Sequence, residues 1–224
     1  MDEPKTPRHR PHDDPVNDEP GQPRPAAVTF VTTEHFALQG ARAATIAEST
    51  GRASIFLASV SGGLIALGFM AQASHLGAAF FVFGVVLLPS LAFLGLTTFL
   101  RVWQTGIEDA EYAHRIAILR GFYFDTAPDI EPWLLSVTPD LRLEVQGVHR
   151  TRMQKYLTMA GAIAVLTSIL VGGAVGLIAA LASNRSSWVA FPLGIGCALV
   201  TLALHVRYLH TQMEKAKRRM APEV

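Results

Sequence analysis

Between Arg52 and Arg101 the chain contains no Asp, Glu, Lys or Arg, and between Lys155 and Arg207 the only formal charge is Arg185. A water-soluble fold interleaves charge every few residues to cover its surface, so uncharged blocks of this length exclude an ordinary globular domain. Cysteine is almost missing as well. The one copy, Cys197, lies in the second block, which rules out an intrachain disulfide and fits polar parts that face a reducing compartment. Nor is there a Ser-His-Asp order, a metal-spaced set of His or Cys, or a Gly-rich phosphate loop. No catalytic, cofactor-binding or metal-ligating residue is therefore assigned, and the chain is read as non-enzymatic. Acids and bases nearly balance, at a net charge of +1, so no nucleic-acid partner is expected.

What is present is apolar: 50% of the residues are hydrophobic. Each uncharged block divides at a short polar turn, residues 72–77 in the first and 184–187 in the second. This yields expected spans at 53–72, 78–100, 157–182 and 188–206. Twenty residues rising about 1.5 Å each cover about 30 Å, the thickness of a bilayer's hydrocarbon core. Inside lipid every backbone amide and carbonyl must be satisfied within the segment, so each span is helical. The expected fold class is an all-α membrane protein, with four transmembrane helices in two antiparallel hairpins and cytoplasmic helical extensions. Pro89 and Pro192 mark the second span of each hairpin.

Basic residues set the orientation. Eighteen of the 19 lie in residues 1–52, 101–155 and 207–224, and only Arg185 falls in an outer turn. The excess of Lys and Arg on one side places both termini and the central segment in the cytoplasm, and the whole chain in the cell membrane. Arg101, Trp103, Tyr156, Trp188, Arg207 and Tyr208 sit at span ends, where snorkelling cations and belt aromatics anchor helices. No ionisable carboxylate, lysine or arginine lies within a span, which weighs against a proton- or sodium-coupled transporter. His205 is read as an interfacial side chain.

The polar segments carry the remaining signals. Residues 1–32 hold more than half of the prolines and read as a disordered cytoplasmic tail, with His9 and His12 solvated. The tail lacks the basic-then-apolar form of a signal peptide, so insertion is expected through the spans themselves. Thr33 is the expected N-cap of a helix running into the first span, in which Phe36, Gly40, Ala43 and Ala47 form a small-residue face suited to close packing. Residues 33–124 then comprise this helix, the first hairpin and a helical continuation beyond Arg101. In that continuation Tyr112, Ile116, Leu119 and Tyr123 form an apolar stripe, and Glu111 precedes Arg115 by four. Tyr112, Arg115, Arg120 and Tyr123 are read as an interaction face for an anionic ligand or a cytoplasmic protein. Residues 125–156 form a loop with Pro128, Pro132 and Pro139, then a helix opened by Thr138; 157–208 hold the second hairpin. The tail 209–224 carries Lys215, Lys217, Arg218 and Arg219, a basic set facing the anionic inner leaflet.

Glycines supply the last motif. Gly172 and Gly176 have the spacing that brings two helix backbones together, and Gly62, Gly63 and Gly173 extend it to both hairpins. They serve helix packing within the chain or self-association between chains. The expected partners are thus the lipid bilayer, a second copy of the chain and a cytoplasmic protein.

The stretch from Glu108 to Tyr123, a charged helix directly after a membrane hairpin, resembles that of small uncharacterised bacterial multi-pass membrane proteins over residues 33–135. It is more loosely similar to hairpin transmembrane effectors of bacterial nucleotide-signalled defence, which oligomerise and damage membranes. Three function classes follow: a membrane scaffold or signalling component acting through its cytoplasmic helices, an oligomeric channel or membrane-disrupting effector, and a small-solute transporter. The absence of intramembrane charge favours the first.

Overall fold

The computed structural model describes residues 25–126, 158–184 and 186–220. They form four helices: α1 (Pro25–Ala73), α2 (Ala78–Thr126), α3 (Met159–Ala182) and α4 (Ser187–Met220). Each is long and apolar enough to cross a membrane, and the all-helical class stands. The readings of residues 1–24, of the loop with Pro128, Pro132, Pro139 and Thr138, of Tyr156 and of Arg185 lie outside the described residues. So do the side chains of Lys217, Arg218 and Arg219.

α1 opens on Pro25, not at Thr33. Proline suits a first helical turn because its missing amide hydrogen has no partner there anyway. Thr33 falls inside the helix, where its hydroxyl donates to the Thr29 carbonyl at 2.8 Å instead of capping. α1 and α2 have 49 residues each. At about 1.5 Å per residue each is roughly 74 Å long, far more than the about 30 Å that lipid requires.

The turn between them is tight. Leu76 N–H donates to the Ala71 carbonyl at 3.1 Å and Gly77 N–H to the Ser74 carbonyl at 2.8 Å. His75 and Leu76 adopt left-handed backbone, φ 49° and 57°. Gly77 has no alternative, since a Cβ there would lie 2.7 Å from the Ser74 carbonyl oxygen. α3 starts with Thr158 as N-cap, its hydroxyl accepting from Gly161 N–H at 3.1 Å.

The helices pack in series: α1 on α2, α2 on α3 and α3 on α4, with slight contact between α2 and α4. Neighbours run in opposite directions, as Gly63 lies beside Leu91 and Leu87 while Gly84 lies beside Leu67. Phe56, Phe99, Ile163, Thr167 and Ser168 fill the centre and are fully buried. The large side chains Phe69, Phe93, Phe191 and Leu199 point outward and are exposed, a surface suited to hydrocarbon and not to water.

Close approaches decide where glycine is required. At Gly95 a Cβ would collide with the Thr167 hydroxyl and lie 2.9 Å from the Phe56 ring. At Gly172 it would lie 2.6 Å from the Gly194 carbonyl oxygen and 2.7 Å from the Ala198 Cβ. Gly62 is different: nothing lies within 4 Å of its Cβ position. Gly172→Ala should therefore force α3 from α4 and cost about 1–3 kcal/mol. Gly62→Ala should be neutral or stabilise by up to about 1 kcal/mol through helix propensity. Thermal unfolding of both variants in detergent measures the difference.

Candidate functional site

Beyond the apolar stretches, α1 and α2 continue side by side as a two-helix stalk, residues 25–52 against 101–126. Two ion-pair sets clamp it. The Arg42 guanidinium donates to Asp109 through Nε at 2.6 Å and Nη2 at 3.3 Å, a two-pronged contact. Glu48 accepts from Arg101 Nε at 2.9 Å and Nη2 at 3.2 Å, and from Arg52 Nε at 3.0 Å. Arg101 also lies 3.8 Å from Glu108. The hydrogen bond from Arg101, then that from Arg52, holds the Glu48 carboxyl below the usual carboxylate range, and Glu48 in turn raises Arg101.

Farther from the spans the stalk is held by packing. Leu38 and Ile116 are buried, and the His35 ring stands edge-on to Tyr123 with centroids 5.8 Å apart. Gln39 Nε2 lies 2.6 Å from His35 Nε2, one turn along α1. Burial and then the nearby Arg120 charge lower the His35 pKa.

The residues singled out as an interaction face do not form one free surface. Tyr123 is half-buried against His35, Tyr112 and Arg120 are half-buried, and only Arg115 is exposed, paired with Glu111 as the spacing anticipates. Within the apolar stripe Ile116 is buried and Tyr123 meets His35 of α1. The small-residue face of α1 shows the converse: Phe36, Gly40, Ala43 and Ala47 are all exposed, pointing away from α2. Among the interface anchors, Arg101 is engaged by Glu48, and Trp103 packs against the core with its indole nitrogen buried and unpartnered among the described residues. Trp188 is 89% exposed at the start of α4, Arg207 is exposed, and Tyr208 packs toward Phe99. Lys215 is exposed.

Of the five glycines, Gly172 and Gly176 pack on α4, Gly63 on Leu91 and Gly173 toward Leu88, whereas Gly62 faces outward. His205 is buried within the bundle. It is 6% exposed, donates from Nδ1 to the Thr201 carbonyl at 2.8 Å, and stands edge-on to Phe99 at 4.5 Å. Its Nε2 and the Thr167 hydroxyl are buried without partners among the described residues. An apolar hollow of about 510 Å³ opens beside the clamp, lined by Thr45, Ser49, Trp103, Gly106, Thr158 and Met159 among others. Among the described residues no group of three or more His, Cys, Asp or Glu is arranged to hold a metal.

The clamp residues Arg42, Glu48, Asp109 and His35 escaped the sequence reading, although a signal existed. Arg42 and Asp109 are equidistant from the midpoint of the turn between His75 and Leu76. Folding the hairpin at that point brings the opposite charges together.

Two outcomes follow. Arg42→Asp should weaken the stalk by on the order of 1 kcal/mol, and adding Asp109→Arg should restore it; a double-mutant cycle on thermal unfolding reads the coupling. Acidification should open the stalk from its far end. His35 and Glu48 both have folded-state pKa values below their unfolded ones, so each stabilises above its unfolded value and that contribution is lost as pH falls through the folded one. The His35 contact is lost first, below neutrality, and the Glu48 clamp only below the usual carboxylate range. Spin labels at residues 34 and 117 should separate before those at 46 and 104. No protein-family model, curated protein sequence or solved structure matches this chain.

Proposed function

We propose that this chain is a non-enzymatic membrane scaffold or signalling component that acts through the stalk formed by α1 and α2. The observation that carries this reading is the clamp. Arg42–Asp109 and Glu48–Arg101 hold two helices together well beyond their apolar stretches, as a rod suited to transmitting or presenting a position relative to the membrane. In this reading α1 with α2 and α3 with α4 cross the cell membrane as antiparallel hairpins. Both termini, the stalk and residues 127–157 lie in the cytoplasm, on the side where Lys and Arg accumulate. The basic residues after Arg207 then meet the anionic inner leaflet, worth about 1 kcal/mol for each that approaches it.

The packed centre supports this choice over the channel or effector reading. Phe56, Phe99 and Ile163 close the interior of the single chain, so a pore would have to form between chains. A transporter would need a coordination site at mid-depth, and the apolar stretches supply no acid, lysine or arginine for one. Purified protein in dye-loaded liposomes separates the readings. The scaffold predicts efflux no faster than from protein-free vesicles; efflux that rises with protein density would establish the channel or effector instead.

A further inference from the structure

We propose that the outer face of α1 is the contact between two parallel copies of this chain; this builds on the membrane-crossing reading above. The face lies opposite α2. From Gly40 to Gly68 its outermost positions recur at alternating spacings of four and three, beginning Gly40, Ala44, Ala47, Gly51, Ser54 and Ala58, and all are exposed. A Cβ on Gly40, Gly51 or Gly68 would meet nothing within 4 Å. Small residues alone only permit close approach, but the aqueous half of the face adds a second feature. Every exposed α1 position between His35 and Arg52 is uncharged, because Arg42 and Glu48 are turned inward to Asp109 and Arg101. Phe30 and Phe36, at the start of the same face, are 72% and 67% exposed in a part of the helix that lies outside lipid. A solvated helix carries charge on its outer side; here about 24 Å of helix has none.

Continuity across the lipid boundary identifies the occupant. The same register runs past Arg52 into the uncharged block without a break. Lipid covers only the membrane half of such a face, and a soluble protein only the aqueous half. An occupant of both is itself a straight helix that passes from water into lipid, and a second α1 has that form. The face is neutral, so two copies meet without like-charge repulsion. Copies in one membrane share an orientation, which puts the two-fold axis along the membrane normal and sets each residue against its own counterpart. Alternating four–three spacing gives the pair a left-handed supercoil.

Cysteine scanning tests this in liposomes holding the full chain. On a Cys197→Ser background, single cysteines are placed at positions 44, 45, 47, 49, 51, 53 and 58 and oxidised. Disulfide-linked species of twice the 24.2 kDa chain mass should form at 44, 47, 51 and 58 but not at 45, 49 or 53, which face inward. Adding Ala47→Leu and Gly51→Leu should lower cross-linking at 58 at least tenfold while thermal unfolding of the chain is retained. A flat profile, no cross-linked species from folded protein, or cross-linking that survives both leucines would overturn the proposal. Vesicle leakage with this pattern intact would sink the scaffold reading and leave the dimer; tight vesicles without the pattern would do the reverse.

Discussion

Hydrocarbon offers no hydrogen-bond partner to a backbone amide or carbonyl, and in this protein that constraint reaches well beyond the lipid itself. An uncharged block of about fifty residues has to become helix or remain in water at the cost of exposing its side chains. Helix nucleation is the costly step and each added residue is nearly free. Once the spans are helical, α1 and α2 extend outward without a new nucleation step, even through Gly40 and Gly51 in α1 and Gly106 and Gly121 in α2. The stalk is thus a by-product of insertion, and what it needs from its own sequence is a means of holding its two strands together. Arg42, Glu48, Arg101 and Asp109 supply that means.

Lipid also removes the usual driving force for packing, because a span loses little by facing hydrocarbon instead of another span. Shape then decides which helices touch. Gly95 admits Phe56 and the Thr167 hydroxyl, Gly84 admits Leu177, and Gly172 with Gly194 lets α3 and α4 meet backbone to backbone. The buried hydroxyls of Thr98, Thr105 and Ser168 bond to their own helix, Ser168 to the Ala164 carbonyl at 2.7 Å, so they add little between helices. Association here rests on fit.

The spans were legible in the sequence because their signal is one of composition: the ends of α1 at Ala73 and α3 at Ala182, and the start of α2 at Ala78, fall within one residue of the expected limits. Glu111 and Arg115 were legible because their partner lies on the same helix. Direction was not. Periodicity along one helix shows that Tyr112, Ile116 and Tyr123 share a side, but not that α1 covers it, and the same blindness hid that Phe36, Gly40, Ala43 and Ala47 face away from α2. The burial of His205 was hidden for a related reason: its position near the end of an apolar run says nothing about Phe99 standing against it. The Thr33 cap failed because Pro25 starts the helix earlier and leaves that hydroxyl an intrahelical carbonyl.

The measurement that bears most directly on the central claim is the sidedness of single cysteines in a Cys197→Ser chain, labelled in sealed cells with a membrane-impermeant maleimide. Four crossings with the stalk inside predict that residue 75 is labelled at once, while residues 46, 117 and 212 react only after the membrane is opened. Residues 75 and 117 reacting together in sealed cells would contradict it.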